Sequence, residues 1–307
     1  MSAYKRVETH RRSPSAIFRT YGAGAEDAER IYFSFSAVQK KKKAHRFSHF
    51  RGERFICAEP WSAPVTRMPG SLRLQCCRAF DIGNGGSLQN LANVILSSRE
   101  MRTWSQLRVP ERRCREWLLG RLCAKDAVRV LVNEKKGWGL VPSEIEIVTN
   151  DYGRPLVGAK LASELDYPLS ISIAHSEGVA VGIAGECRDF RDVGIDIEPA
   201  TRDCRGLERI ILRTSERSLL STMSRFRRQE WLLCFWCAKE AVAKALGQGM
   251  VGGPWGFLVK GVELKTGRIV LKLAGKALQQ LPRYRNRVFT VYSGCETDFV
   301  YATSVVD

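Results

Sequence analysis

The chain has 307 residues, 44% of them apolar, which is enough for one large domain or two smaller ones with a buried core. No apolar run approaches the ~18 residues of a membrane-spanning helix, and charged residues interrupt the apolar stretches at the start, which argues against a secretory signal. Ten cysteines without such a signal favour free thiols, a cytoplasmic location and no membrane partner. The net charge of +17 favours a polyanionic partner, either nucleic acid or a nucleotide cofactor together with an acidic protein.

The first segment of the chain is strongly basic. Residues 1–90 hold 16 Lys and Arg against 7 Asp and Glu, and residues 39–46 include a run of four lysines. Scattered Gly, Pro and Arg with weak periodicity predict that residues 1–88 form a basic, poorly ordered N-terminal extension. An organelle-targeting segment and a mistaken translation start are the alternatives for this region.

The remainder of the chain contains an internal repeat. Residues 115–128 align without gaps onto residues 229–242 at an offset of 114, with nine of 14 positions identical. Each half then finishes with two β-rich segments, which predict a hairpin. These segments are residues 169–174 and 179–183 in the first half, and residues 288–292 and 299–302 in the second. The repeat predicts the α+β class, with one copy over residues 89–190 and the other over residues 191–307.

Two short segments of the second copy carry acidic residues at defined spacing. Residues 193–198 read as a strand, so Asp196 and Glu198 share one face, about 7 Å apart. Residues 236–244 read as a helix that places Glu240 and Lys244 on one face. Each segment alone is commonly a solvated surface, but three carboxylates on two rigid elements can form a magnesium site.

The two segments together resemble the signature of the 4'-phosphopantetheinyl transferases. That signature reads Gly-Ile/Val-Asp-Ile/Val-Glu, then Trp-Ser/Cys/Thr-x-Lys-Glu-Ala/Ser-x-x-Lys, and residues 194–198 and 236–244 meet every fixed position. The resemblance is to the larger, pseudo-dimeric class that includes the surfactin-synthetase activator, and it covers about residues 90–307. It implies a monomer with two α+β repeats related by a pseudo-twofold axis and an active site in the cleft between them.

The resemblance also implies an activity. The family transfers 4'-phosphopantetheine from coenzyme A to a serine of an acyl or peptidyl carrier protein, which converts the apo carrier to the holo form and releases 3',5'-ADP. Asp196, Glu198 and Glu240 match the family's Mg²⁺ ligands. Glu240 also matches the catalytic base, and Lys244 would keep Glu240 ionised.

Five further residues match positions that bind coenzyme A in the family. His175 lies in a segment similar to the family's Ser-His-Ser, with Ala174 in place of the first serine, although a histidine can also simply cap a strand end. The five are Lys125, which replaces an arginine of the family, its neighbour Arg121, Arg154 of a Gly-Arg-Pro motif, His175, and Lys239. Three arginines upstream are open candidates for the 3'-phosphate: Arg108, Arg112 and Arg113.

The two copies are unequal, since Asp126 stands in the place of Glu240, and we expect only the second copy to furnish a metal site. The arginine-rich stretch at residues 207–228 suits either an acidic carrier-protein helix or ordinary solvent exposure. Two rival functions are a metal-dependent nucleic-acid-processing enzyme, and an inactive paralogue that binds carrier proteins. The intact acidic motif argues against the inactive paralogue, and we expect coenzyme A rather than nucleic acid as the partner.

Overall fold

A computed structural model of the protein describes residues 58–70, 72–80, 88–223, 227–296 and 298–307. The lysine run at residues 39–46 and the rest of the predicted extension up to residue 57 lie outside the described residues. No helix in the described part of the chain combines the length and apolar character that a bilayer crossing requires. Residues 55–307 form one compact unit, in which each half packs a long helix against an antiparallel sheet.

The first half packs its long helix on a four-stranded sheet with the order β1-β2-β6-β5. That helix ends at Gly137, whose φ of 65° is the left-handed conformation that glycine adopts without strain. A two-stranded hairpin and several short helices complete this half. Its elements are β1 (Glu59–Pro60), α1 (Ala63–Thr66), β2 (Leu74–Phe80), α2 (Leu88–Ile95), α3 (Ser98–Gln106), the long helix α4 (Glu111–Lys136), a 3₁₀ turn at Pro142–Glu144, β3 (Ile147–Thr149), β4 (Pro155–Val157), α5 (Ala159–Ala162), β5 (Leu169–Ser176) and β6 (Val179–Glu186).

The second half has a five-stranded antiparallel sheet with the order β7-β11-β10-β9-β8. Its long helix ends at Gly247, again with a left-handed φ of 72°. Its elements are β7 (Asp192–Pro199), α6 (Leu207–Ile211), α7 (Thr214–Ser221), the long helix α8 (Arg228–Leu246), a 3₁₀ turn at Pro254–Gly256, β8 (Phe257–Glu263), β9 (Arg268–Leu273), α9 (Gly275–Gln280), a 3₁₀ turn at Pro282–Tyr284, β10 (Phe289–Glu296) and β11 (Phe299–Val306). The predicted α+β class and both closing hairpins, β5–β6 and β10–β11, are confirmed.

The two halves meet where β7 lies alongside β5. The serine hydroxyls of β5 accept hydrogen bonds from the backbone of β7: Ser170 from Val193 N–H at 3.0 Å, and Ser172 from Ile195 N–H at 3.2 Å. These bonds satisfy donors on the edge of β7 that β11 does not pair. A separate hydrophobic cluster fills the space between the two sheets; among its members are Trp61, Ile183, Ile195, Ile197 and Tyr301.

The predicted boundary at residue 88 is wrong for residues 58–80, because β2 is a strand of the first sheet. It pairs with β6 over seven positions, from Leu74 opposite Gly185 to Phe80 opposite Val179. Its buried residues include the adjacent Cys76 and Cys77, so the segment lacks the alternation that would reveal a strand. β2 takes the same place beside β6 that β7 takes beside β11, so the first copy begins before residue 74.

Candidate active site

Strand β7 carries the two carboxylates of the first acidic segment. Ile195 and Ile197 point into the hydrophobic cluster between the sheets, so Asp196 and Glu198 occupy the opposite face. This face of β7 packs against helix α8. The strand therefore presents both acids towards the helix that carries Glu240, as the alternation predicts.

Gly194 allows helix α8 to approach β7 closely. A Cβ atom at this position would lie 1.9 Å from the carbonyl oxygen of Ala241, a distance that no side chain can occupy. The glycine of the acidic motif is thus required by the packing of the helix backbone on the strand. Because Ala241 follows Glu240 directly, this approach also sets the distance between Glu240 and the strand acids.

The two oxygens of Asp196 have different surroundings. Oδ1 accepts a hydrogen bond from Lys244 Nζ at 2.8 Å, and the same ammonium donates to the carbonyl of Ile195 at 3.2 Å. Oδ2 is buried and has no hydrogen-bond partner in the structure. A buried carboxylate oxygen without a donor is energetically costly, and a cation would satisfy it.

Glu198 is held by three side chains. Its Oε1 accepts from Trp236 Nε1 at 3.0 Å and forms an ion pair with Arg202, while its Oε2 accepts from Ser176 Oγ at 3.2 Å. Ser176 belongs to the first half and Trp236 to α8. Glu198 therefore makes hydrogen bonds to both halves of the chain.

Glu240 is the third acid of the cleft. Burial raises the pKa of its carboxyl, and the negative charges of Asp196 and Glu198 raise it further against the opposing effect of Lys244. Among the described residues, no three His, Cys, Asp or Glu side chains are already gathered as a metal-binding group. The repulsion at Glu240 and the unpartnered Oδ2 of Asp196 nevertheless fit a divalent cation, which prefers such oxygen ligands.

His175 stands on the first-half side of the same cleft. Its Nδ1 lies 3.6 Å from Glu116 Oε2, on helix α4. Burial lowers the pKa of His175, Glu116 opposes that shift, and Lys244 and Arg113 add to it. The charge of Lys244, in the second half, thus acts on His175, in the first half. The structure therefore brings the predicted histidine close to the acidic motif.

Of the three open candidates for a phosphate contact, two lie beside His175. Arg112 and Arg113 are largely exposed and both bind Glu116, at 2.9 and 3.1 Å. Arg108 instead donates to backbone carbonyls of its own turn. Arg112 and Arg113 are thus the cations that could meet a phosphate near the histidine.

Arg154 lies at the opposite end of β7. It forms an ion pair with Asp192 and donates to Ser170 Oγ at 3.3 Å, and its side chain packs against Gly247 at the end of α8. Burial lowers the pKa of this guanidinium. Asp192 precedes Asp196 by four residues, so Arg154 is about 13 Å along the strand from the acids. The structure does not gather it with the other predicted residues.

The structure does not bring Lys125 and Lys239, both predicted to contact a coenzyme A phosphate, to the cleft. Both side chains are 0% exposed, and each ammonium binds a buried glutamate: Lys125 binds Glu100 at 2.5 Å, and Lys239 binds Glu216 at 2.8 Å. A lysine held in this way cannot reach a ligand in the cleft without leaving a buried carboxylate unpaired.

Arg121 also points into the first half rather than into the cleft. Its guanidinium stacks on the ring of Trp117 at 3.4 Å and faces Glu100 at 3.6 Å. Burial lowers its pKa to about 10. The side chain is 12% exposed, so the prediction that it binds coenzyme A with Lys125 is not supported.

Sequence reasoning assigned no role to four residues of the cleft. Ser176 and Trp236 bind Glu198, Arg202 pairs with the same acid, and Glu116 holds His175. Trp236 was visible as the first residue of the helix motif. Arg202 follows Glu198 by four positions in a loop, a spacing that carries no signal outside a helix.

Three of the six arginines in the stretch 207–228 have partners within the protein. Arg227 pairs with Glu230, and Arg228 with Glu208. In addition, Arg213 donates to the carbonyl of Trp255 at 2.9 Å. These contacts favour the interpretation of an ordinary helix surface for this part of the stretch.

Two arginines of the stretch remain to be placed. Arg209 is exposed on α6, and Arg217 is half-buried on α7. Arg225 lies outside the described residues. Arg209 is therefore the member of this stretch best placed to meet a partner.

Comparison with known proteins identifies the second half. Residues 192–291 match the family model described as the 4'-phosphopantetheinyl transferase superfamily. This range begins at β7 and includes α8, the two elements that carry the three acids. The superfamily model thus matches the part of the chain that carries the acidic motif, in agreement with the resemblance seen in the sequence.

Two curated relatives agree with this assignment. The 4'-phosphopantetheinyl transferase HetI of Nostoc sp. (strain PCC 7120) is 27% identical over 165 residues, which cover 53% of this chain and 64% of that protein. A holo-[acyl-carrier-protein] synthase of Geobacillus kaustophilus is 34% identical over 87 residues, 28% of this chain and 64% of that protein. The chain thus spans somewhat less than two thirds of the length of each.

A solved structure gives a weaker likeness. The holo-[acyl-carrier-protein] synthase (AcpS) of Neisseria meningitidis superposes with a TM-score of 0.28 and 19% sequence identity, over 37% of this chain and 95% of that one.

Proposed function

We propose that the protein transfers the 4'-phosphopantetheine group from coenzyme A to a serine of an acyl or peptidyl carrier protein. The observation that carries this proposal is the acidic cleft: Asp196 and Glu198 lie on the face of β7 that packs against α8, and their charges act on Glu240 of that helix. The superfamily match over the same two elements supports it. The cleft lies within one chain, so we propose that a monomer is sufficient.

Asp196, Glu198 and Glu240 would hold Mg²⁺ in this proposal. When bound, the ion would neutralise the charge that grows on the pyrophosphate as 3',5'-ADP leaves. Glu240 would also accept the proton of the carrier serine, the role of base that its motif implies for this position. Lys244, already bound to Asp196, would keep positive charge beside the transferred phosphate.

The first half would supply the contacts to the phosphates of coenzyme A. His175 and the exposed pair Arg112 and Arg113 border the cleft from this side. Arg154 is placed farther along β7, where it could meet a more distant part of the cofactor once its ion pair with Asp192 opens. We retain it as a coenzyme A contact on the strength of its motif.

The carrier protein would approach from the side of α6. Arg209 is exposed there, together with the apolar side chains of Ile210 and Trp255, which are 66% and 49% exposed. A cation beside exposed apolar groups suits an acidic amphipathic helix. Helix α6 packs against the 3₁₀ turn that carries Trp255, so the three side chains belong to one region.

The free cysteines bear on the compartment in which the protein would act. Nine cysteines in the described part of the chain are free thiols, and five of the nine carry a thiol that is fully buried or nearly so. Buried thiols with raised pKa values are poor nucleophiles and resist oxidation. We therefore place the protein in a reducing compartment such as the cytoplasm.

The direct test is mass spectrometry of purified apo-carrier proteins after incubation with coenzyme A, Mg²⁺ and the full chain. We expect a mass gain of one phosphopantetheine group. Asp196→Asn and Glu240→Gln should each lower the transfer rate by roughly two orders of magnitude or more, the usual scale for a lost metal ligand or base.

Asp126→Asn is the matched control, because Asp126 occupies the position of Glu240 in the first copy and should leave transfer nearly unchanged in folded protein. Near-normal transfer by folded Asp196→Asn would contradict the proposal. Cleavage of DNA or RNA without any transfer would favour the rival nucleic-acid enzyme.

A further inference from the structure

Lys239 sits at the centre of a buried polar cluster that joins four elements of the second half. Its ammonium donates to the carbonyl of Ile211 at 2.6 Å, to the carbonyl of Pro254 at 3.1 Å, and binds Glu216 Oε1 at 2.8 Å. These three acceptors match the three hydrogens of an ammonium group. Glu216 Oε1 also accepts from Val259 N–H at 2.8 Å, so strand β8 is joined to the same cluster.

Lys125 forms the same cluster in the first half. Its ammonium donates to the carbonyl of Ile95 at 2.6 Å, to the carbonyl of Pro142 at 3.2 Å, and to Glu100 Oε2 at 2.5 Å. Glu100 Oε1 accepts from Ile147 N–H at 3.3 Å, at the start of β3. Each contact of Lys239 therefore has a counterpart at the equivalent position of the repeat.

The two glutamates have a further role in common. Glu216 Oε2 accepts from Arg213 N–H at 2.8 Å, and Glu100 Oε2 accepts from Ser97 N–H at 2.9 Å. Each glutamate thus caps the N-terminus of a short helix while it neutralises the lysine. Two buried clusters with the same connections, one in a half without catalytic acids, indicate a shared structural task.

We infer that Lys239 is a positioning residue, which fixes the rotation of α8 so that Glu240 and Lys244 face β7, and that it does not touch coenzyme A. Neighbouring residues of a helix point about 100° apart, so the direction of Lys239 determines that of Glu240. The lysine ties the helix to α6, α7 and the 3₁₀ turn at 254–256 on the side away from Asp196. The catalytic part of this inference rests on the proposed function, whereas the structural part does not.

The test compares Lys239→Met with Lys125→Met in the full chain, because methionine keeps most of the side-chain volume and removes the charge. Both variants should lower the Tm by on the order of 10 °C, since each leaves one buried glutamate unpaired. Below both Tm values, Lys239→Met should lower kcat by about tenfold to a hundredfold through misplacement of Glu240, with KM for coenzyme A within about twofold. Lys125→Met should leave kcat nearly unchanged.

Two results would overturn the inference. A large rise in KM for coenzyme A with an unchanged Tm would identify Lys239 as a phosphate contact. An equal loss of kcat in Lys125→Met would show that general destabilisation, rather than helix rotation, is responsible.

Glu216→Gln, which keeps the lysine side chain but removes the charge that anchors it, provides the same comparison if Lys239→Met does not fold. Its kcat should fall with an unchanged KM for coenzyme A, and an unchanged kcat in this variant would likewise count against the inference. A parent chain that transfers nothing would refute the proposed function alone, because the paired Tm losses are measured independently.

Discussion

Trp61 is one of the side chains that join the N-terminal segment to the second half, together with Arg67 and Arg78. Its ring is 4% exposed and packs edge-on against Tyr301 with 5.0 Å between centroids, while its Nε1 donates to Glu296 Oε2 at 2.5 Å. Tyr301 lies on β11, the neighbour of β7. Trp61→Ala removes this packing from the hydrophobic cluster between the two sheets.

The size of the effect follows from these contacts. Truncation of a buried tryptophan to alanine costs about 3–5 kcal/mol. For a folded unit of this size, each kcal/mol lowers the Tm by roughly 2–4 °C, so we expect a loss of about 6–20 °C. Trp61→Phe keeps an aromatic ring and loses the hydrogen bond to a partly exposed carboxylate, which costs about 1 kcal/mol and a loss of roughly 2–4 °C.

Thermal unfolding of the full chain by calorimetry measures both variants against the parent. Trp138→Ala is the matched control, because Trp138 is 40% exposed and should change the Tm by no more than about 2 °C. If Trp61→Ala unfolds within about 2 °C of the parent, the segment that carries Trp61 is not part of the folded unit.

Three other predictions follow from the same structure. A chain that begins at residue 58 should fold and keep its activity. A chain that begins at residue 88 lacks β2 and should be insoluble or unfolded by circular dichroism. If the chain that begins at residue 88 were stable and active, the corrected boundary would be refuted. Gly194→Ala should lower the stability by about 1–3 kcal/mol in chemical denaturation, because its Cβ would collide with the backbone of α8, and an unchanged midpoint would contradict that packing. Ser176→Ala should weaken Mg²⁺ binding about 10- to 100-fold in titration calorimetry, because it removes the hydrogen bond from Ser176 to Glu198. Ser163→Ala, on the surface, should leave Mg²⁺ binding unchanged. Equal affinities in the two variants would show that Ser176 is not part of the site.

The sequence predicted the cleft well because its acids lie in two short segments with unambiguous periods. Strand alternation and helical spacing predicted a strand for Asp196 and Glu198 and a helix for Glu240, as the structure has them, while their role as metal ligands stays a prediction. The repeat also predicted two α+β halves with closing hairpins. Local spacing sufficed for these features, since each depends on residues close together in the chain.

Two features of the structure could not be predicted from the spacing of neighbouring residues. Strand β2 shares neither charge nor motif with β7, and its buried side chains remove the alternation that reveals a strand. Lys125 and Lys239 were predicted to contact coenzyme A because they match positions of the family's motifs. The signal that could have placed them was the repeat itself, because Glu100 recurs with Lys125 as Glu216 recurs with Lys239, and a paired recurrence of opposite charges indicates an internal ion pair.

Asp126 has a consequence for stoichiometry. Its Oδ2 accepts from the backbone of Ala58 at 3.3 Å and its Oδ1 binds Arg129 at 2.9 Å, so each oxygen of the acid that corresponds to Glu240 already has a partner within the chain. When the two sheets are aligned at the closing turns of their hairpins, Cys77 and Ala79 of β2 occupy the positions that Asp196 and Glu198 occupy on β7. A symmetric dimer of identical subunits would offer two equivalent clefts, whereas this duplicated chain offers one, and titration with coenzyme A should end at one molecule per polypeptide.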